Sequence, residues 1–386
     1  MKNTYRNVFA ELGKTEEQIE ARLKEIVDEF FYSEDRIYHA VGDDMGYLED
    51  TGNNDARTEG MSYGMMMAVQ LDMKEEFDRI WKWAKTYMYM DKGFNEGYFA
   101  WSCATNGKKN AYGPAPDGEE FFAMALFFAS HRWGDGEGIF NYSSEARAIL
   151  SACIHKGEEG GREGAPMWNR DNKYILFVPG CEYTDPSYHL PHFYELFALW
   201  ANEEDREFFA QAAKASREYL AKACHPVSGM NPEYGEFDGS PMSKPLKWTK
   251  DRHDWFYSDA YRTAANIGLD WEWFGKDEGQ RGAPAKLRYI LGVINKDDPY
   301  KTYEVDGTKL EQPALHPIGI LATTAQSVLT ADKPLSLDSD DEETRLAAEW
   351  AERFWNEPMR KGERRYYDNC LYIFAFLALS GRYRMW

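Results

Sequence analysis

Thr15-Glu16-Glu17-Gln18-Ile19-Glu20-Ala21-Arg22-Leu23-Lys24-Glu25-Ile26-Val27-Asp28-Glu29-Phe30 reads as a helix from its first residue. Thr15 and Gln18 have the spacing of a capping box, in which each side chain accepts the other residue's backbone N–H. Behind them Ile19, Leu23, Ile26 and Phe30 recur at intervals of four, three and four, one apolar stripe on a charged helix. The same period returns near residues 58–72, 75–91, 119–133, 143–155, 188–202 and 205–224, then near 255–272, 277–295, 316–330, 342–356 and 366–380. Asp185-Pro186 is expected to open the helix at 188–202 as N-cap and first-turn proline. No strand–helix alternation points to a parallel sheet. Thr302–Leu310, folded at Asp306-Gly307, is the best hairpin candidate. About twelve helices with no fixed repeat of roughly 30–50 residues argue against a solenoid. They suit an all-α barrel of six helical hairpins, an inner ring inside an outer one, with long loops and a few short strands at one end.

The long connections at 34–57, 92–118, 156–187, 225–254 and 298–315 are rich in Gly, Pro, Asp and aromatics. Loops of that length usually carry function. No Pro/Ser linker or break in composition divides the chain, so a single domain over 1–386 is expected. The 386 residues hold 45 Lys+Arg against 65 Asp+Glu, a net charge of −20. That charge disfavours nucleic acid and anionic membrane as partners. The longest apolar runs, Phe121–Ala129 and Leu371–Leu379, are half the ~18 residues of a membrane span. Met1–Asn7 has no apolar signal core, and the five scattered cysteines include no C-x-x-C. Free thiols and a cytoplasmic location are the expectation. The 13 Trp, 25 Tyr and 22 Phe are in part a large core and in part ring faces suited to stacking on sugars.

Several motifs drop out. Gly107-Lys108 lacks the rest of a phosphate-binding loop, and Gly160-Gly161 opens no helix. His189-x-x-His192 has ligand-like spacing, but Pro191 lies between and no third ligand is close, so no metal is expected. No nucleophile elbow is present. What remains is a set of acids where loops enter helices: Glu59 in Thr58-Glu59-Gly60-Met61-Ser62-Tyr63-Gly64-Met65, Asp117 in Gly113-Pro114-Ala115-Pro116-Asp117-Gly118-Glu119-Glu120, and Asp259 in Tyr257-Ser258-Asp259-Ala260-Tyr261-Arg262. Gly60 and Gly64 leave room beside Glu59. Each acid also has a plain structural reading, because carboxylates in a first turn cap N–H groups and complement the dipole. Asp117-x-x-Glu120 can be a capping arrangement, and Asp259 can pair with Arg262 at i,i+3.

Thr58–Met65 resembles the S/T-E-G-x-S-Y-G-M signature of glycoside hydrolase family 8, whose general acid is the Glu. Ala115-Pro116-Asp117-Gly118-Glu119 is similar to that family's A-T-D-G-D, with Glu for the second Asp. Asp185-Pro186-Ser187-Tyr188 resembles its N-P-S-Y, Ser258-Asp259-Ala260-Tyr261-Arg262 its Y-D-A-I-R, and Tyr366-Tyr367-Asp368-Asn369 its Y-Y-D-Q. The resemblance implies an (α/α)6 barrel and an inverting hydrolase, with Glu59 as acid and Asp259 as base. It also implies that Asp117 binds the sugar at subsite −1, helping to keep Glu59 protonated, while Arg262 orients Asp259. Trp101, in Tyr98-Phe99-Ala100-Trp101, is the candidate stacking platform. Tyr188 and Tyr367 are substrate contacts by motif position only. No metal or organic cofactor is implied.

Leu315-His316-Pro317 is similar to a segment of those family members that release xylose from the reducing end of β-1,4-xylooligosaccharides. There His316 would meet the anomeric hydroxyl; its plain reading is a surface residue before a helix start. Endo-acting xylanase, cellulase or chitosanase activity is the alternative within the class. A non-catalytic oligosaccharide-binding barrel or an epimerase is the alternative outside it. Both acids are in place, which disfavours a mere binder, and an epimerase would normally show a histidine base.

Overall fold

The structure is a computed structural model and describes residues 4–246, 249 and 251–386. Residues 247, 248 and 250 of the connection at 225–254, and residues 1–3 of the N-terminal stretch, lie outside the described residues. The Thr15 capping box forms: Thr15 Oγ1 accepts from Gln18 N and Gln18 Oε1 from Thr15 N. The helix it opens, Glu16–Phe31, buries the expected stripe of Ile19, Leu23, Ile26 and Phe30. It is the first of six outer helices, followed by Lys74–Trp83, Tyr142–His155, Arg206–Ala223, Glu278–Tyr289 and Glu342–Asn356. Each precedes an inner helix: Thr58–Leu71, Pro116–Trp133, Pro191–Trp200, Arg262–Phe274, Pro317–Gln326 and Arg365–Leu379. The inner helices are apolar nearly all round; Arg365–Leu379 buries every residue from Tyr366 to Leu379. Each inner helix touches the next, and Arg365–Leu379 closes back onto Thr58–Leu71. That ring within a ring is an (α/α)6 barrel. One apolar cluster runs through it from Val8 to Met385.

Three expected elements differ in detail. Asp185 caps only the 3-10 turn Pro186–Tyr188, accepting from Ser187 N, and the α-helix starts at Pro191. A second proline forces that break, because the residue before it is pushed out of the helical region. The expected helix at 255–272 begins as a strand, Trp255–Phe256, and a 3-10 turn, Ser258–Tyr261, before Arg262. The connection at 34–57 contains an unexpected hairpin, Tyr38–Val41 with Met45–Leu48.

The hairpin at Asp306-Gly307 does form, from Lys301–Glu304 and Lys309–Pro313. Trp255–Phe256 adds to it as a third strand. One small sheet therefore joins the approach to Asp259 with the approach to His316. All five cysteines are free thiols. Among the described residues no helix is long and apolar enough to cross a membrane.

Candidate active site

Every inner helix begins at, or just after, a residue facing one cleft of about 550 Å³. Seven of the eight residues singled out above line it: Glu59, Trp101, Asp117, Tyr188, Asp259, His316 and Tyr367. The eighth, Arg262, is bonded to Glu59 and Asp117 from beneath.

Asp55–Arg57 pairs with Ser102–Ala104, and Thr58 N donates to Trp101 O at 3.0 Å, which sets where the Glu59 helix starts. Gly60 is needed for a close approach: a Cβ there would stand 2.6 Å from the Tyr366 ring, whose hydroxyl donates to Glu59 Oε1 at 2.8 Å. The room at Gly64 serves Leu48 instead, which would lie 2.4 Å from a Cβ.

Asp117 is not part of a capping box. Its Oδ1 accepts from Gly118 N at 2.9 Å and its Oδ2 from Arg262 Nη1 at 3.0 Å. Glu120 accepts the Tyr194 hydroxyl, and Glu119 accepts Phe99 N at 2.8 Å.

Arg262 is the hub. Nη1 donates to Tyr63 Oη at 2.7 Å, Asp117 Oδ2 at 3.0 Å and Glu59 Oε2 at 3.2 Å. Nη2 stands 3.5 Å from Asp259 Oδ1 and 3.9 Å from Asp185 Oδ2, beyond good hydrogen-bond reach of either. The i,i+3 pair with Asp259 thus exists, but as the looser of its contacts. The guanidinium also lies 5.4 Å from the Tyr188 ring and 5.9 Å from that of Tyr367, within cation–π range.

Burial pushes the Glu59 carboxyl up to about 8; Arg262 opposes this, while the charges of Asp117 and Asp259 add to it. The side chain still opens 17% of its surface to the cleft, so its proton is reachable by a ligand. Burial likewise raises Asp117, against the pull of Arg262. Asp185, fully buried with one oxygen unpartnered, is held well above the carboxylate range by burial and then by Asp259. Asp259 is the most open of the four, with 27% of its side chain exposed. Before it Ser258 holds φ at +40°, a left-handed setting that costs a non-glycine residue about 1–3 kcal/mol. The buried Glu233 carboxyl lies close to the backbone of that turn.

His316 is buried rather than a surface residue, 8% exposed, and bonds through Nδ1 to Asp368 Oδ2 at 2.8 Å. Trp101 is 37% exposed, with Arg57 5.2 Å from its ring. His189 sits between Ser216 and Thr184, at 2.8 and 3.0 Å, and burial pulls His189 and His192 down to about 3.

Sequence reasoning missed Tyr63, Tyr366 and Asp185 as partners of the acids, although all three lie inside the quoted motifs. Phe177, Val178 and Tyr234, which also face the cleft, had no signal at all.

A barrel that gathers acids around an open cleft at one end of its inner helices, with aromatic walls and a carboxyl kept neutral, is the architecture of a glycoside hydrolase. The chain belongs to glycosyl hydrolases family 8, whose model matches residues 42–378. It is 54% identical to the reducing end xylose-releasing exo-oligoxylanase of Halalkalibacterium halodurans, over 99% of this chain and 94% of that one. The enzyme of the same name from Bifidobacterium adolescentis is 50% identical, over 98% and 96%. The solved structure of the Paenibacillus barcinonensis enzyme, complexed with xylose, superposes with a TM-score of 0.92 at 53% identity, covering 99% of this chain and 97% of that one.

Proposed function

We propose that the protein releases xylose from the reducing end of β-1,4-xylooligosaccharides with inversion at the anomeric carbon. The named activity of the relatives supports the substrate and the end attacked. The observation that carries the chemistry is a neutral Glu59 and a solvent-open Asp259 on opposite nitrogens of one guanidinium. Inversion needs such a pair, one carboxylic acid and one carboxylate with room for water, about 6.5–9.5 Å apart. Glu59 gives its proton to the glycosidic oxygen as the bond to the leaving xylose breaks. Asp259 takes a proton from the water that attacks the opposite face of the ring.

Asp117 accepts sugar hydroxyls at subsite −1, and Arg262 holds both acids in register. Tyr188 and Tyr367 wall the sugar, and Trp101 is the stacking platform. Leu315-His316-Pro317 closes the cleft beyond subsite +1, where His316 meets the anomeric hydroxyl. No step calls for a metal or cofactor. The reading treats 1–386 as one catalytic domain, which the large apolar cluster running from Val8 to Met385 supports. It places the enzyme in the cytoplasm, in keeping with five free cysteines, four of them buried.

Xylotriose labelled at its reducing end tests the end of attack. Labelled free xylose is the expected product; label in xylobiose rejects the reading. His316→Ala is expected to raise KM and relax the choice of end.

A further inference from the structure

His316 has one ring nitrogen committed and one available. Nδ1 shares a hydrogen bond with Asp368 Oδ2 at 2.8 Å, no described residue bonds Nε2, and the ring lines the cleft. Asp368 is fully buried and surrounded by donors. Arg360 Nη1 reaches the same Oδ2 at 2.6 Å, and Gly319 N–H reaches Oδ1 at 2.9 Å. A carboxylate paired with the Arg360 cation and receiving the Gly319 N–H on its other oxygen is an acceptor, so the hydrogen of the His316 bond sits on Nδ1. The frame around it is rigid. Arg360 also donates to Leu315 O at 2.8 Å, and Asn369 bonds the Arg360 backbone at both N and O. Gly319 N–H belongs to the free first turn of helix Pro317–Gln326, so Asp368 caps that helix and orients the histidine before it.

We propose that Asp368 is a positioning residue that fixes His316 as the Nδ1–H tautomer, so that the neutral ring recognises a free reducing end by accepting its anomeric O–H at Nε2. This rests on the reading that the +1 sugar lies against His316. In the neutral enzyme that hydrogen bond therefore runs from the sugar to the ring. A free anomeric hydroxyl both donates and accepts, whereas an alkyl-capped oxygen only accepts. Neutral His316 bonds the hydroxyl alone; the imidazolium, a donor at both nitrogens, bonds either. Selectivity for a free end is a property of the neutral ring and grows as the ring loses its proton. The titratable and charged groups facing His316 are Asp368, Arg360, Tyr367 with its ring 4.6 Å away, and Tyr261 and Asp259 on the turn packed against helix Pro317–Gln326. Ionisation of Glu59 and Asp259 affects both substrates alike and cancels in their ratio.

The test compares kcat/KM for xylotriose and its methyl β-glycoside over about pH 5 to 8, where histidines commonly titrate. The tautomer and titration of His316 are read from ¹⁵N shifts of the intact enzyme, with its signals assigned by their loss in His316→Ala. The expected result is an Nδ1–H ring and a preference for the free end that rises about tenfold as that ring deprotonates, the worth of one hydrogen bond. Steric rejection of the methyl group is independent of pH. A flat ratio across the titration, or an Nε2–H ring, overturns the proposal. Asp368→Ala removes the acceptor facing Nδ1 and is expected to free the tautomer and flatten the ratio, moving KM for xylotriose more than kcat. An unchanged tautomer in that variant counts against the role; should the variant not fold, the wild-type measurements decide alone. Failure of the underlying reading looks different: label from reducing-end-labelled xylotriose would appear in xylobiose, which overturns both.

Discussion

Two of the buried arginines, Arg217 and Arg262, tie this barrel together in opposite ways. Arg217, on an outer helix, gives Nε and Nη2 to Asp270 at 2.9 and 2.6 Å and Nη1 to Glu195 at 2.6 Å. Gln280 adds a bond to Asp270 at 2.7 Å and Lys276 one to Glu195 at 2.8 Å. Charges and hydrogen bonds both close there. Arg262 makes short bonds from Nη1 only and faces four carboxyl groups, two of them across gaps of 3.5 and 3.9 Å. A buried site cannot hold four negative charges against one cation, so protons make up the difference. The first cluster is a clamp. The second stores a proton and keeps a donor nitrogen unspent beneath the cleft.

The sharpest way to break that contrast is to neutralise the acids. Glu59→Gln and Asp259→Asn are each expected to lower kcat by about 10²–10⁴-fold while leaving the melting temperature near that of the wild type. Turnover of xylotriose within a factor of three of the wild type in either variant removes that residue from the chemistry.

Replacing the two arginines by methionine comes next. Arg217→Met strands Asp270 without a cation and is expected to reduce unfolding stability by about 3–5 kcal/mol in a urea titration, with kcat of the folded enzyme kept. Arg262→Met is expected to lose turnover with a smaller loss of stability, because its carboxyl groups can take up protons. Equal losses of stability would erase the distinction.

Glu59 also predicts two pH effects. The alkaline limb of kcat/KM should fall with an apparent pKa near 8, as the acid loses its proton. The folded-state pKa lies above the unfolded one, so the stability this group contributes is present below the ordinary carboxylate range and is lost as pH rises toward 8. Glu59→Gln should therefore gain roughly 1–3 kcal/mol on the wild type between pH 5 and pH 8, measured by denaturant titration at both. The smallest effect belongs to Trp101→Ala, where loss of one stacked ring should raise KM about 2–10-fold with kcat nearly unchanged.

How much of this was legible beforehand follows from how far each signal reaches along the chain. Ile19, Leu23, Ile26 and Phe30 declare a helix within three turns, and Thr15 with Gln18 declares its start. The ring of six inner helices rests on that local kind of evidence. Trp255–Tyr261 misled because its apolar spacing continues into Arg262–Phe274, while its backbone is claimed by a strand partner near residue 303. At the site, Glu59, Asp117 and Asp259 stood out by motif, whereas Tyr366 meets Glu59 across 307 residues of sequence and Tyr63 meets Arg262 across 199. No local pattern encodes such pairings. That Gly60 leaves room beside Glu59 was legible, but not that Tyr366 fills it, and Gly64 makes room for Leu48 instead.

Inversion by Glu59 and Asp259 is the central claim, and proton NMR of a fresh xylotriose digest tests it most directly. Spectra taken before mutarotation should show the new reducing end of xylobiose appearing first as the α-anomer. A β-anomer as first product would mean that the configuration is retained, and would contradict an acid and a base acting on opposite faces of the sugar.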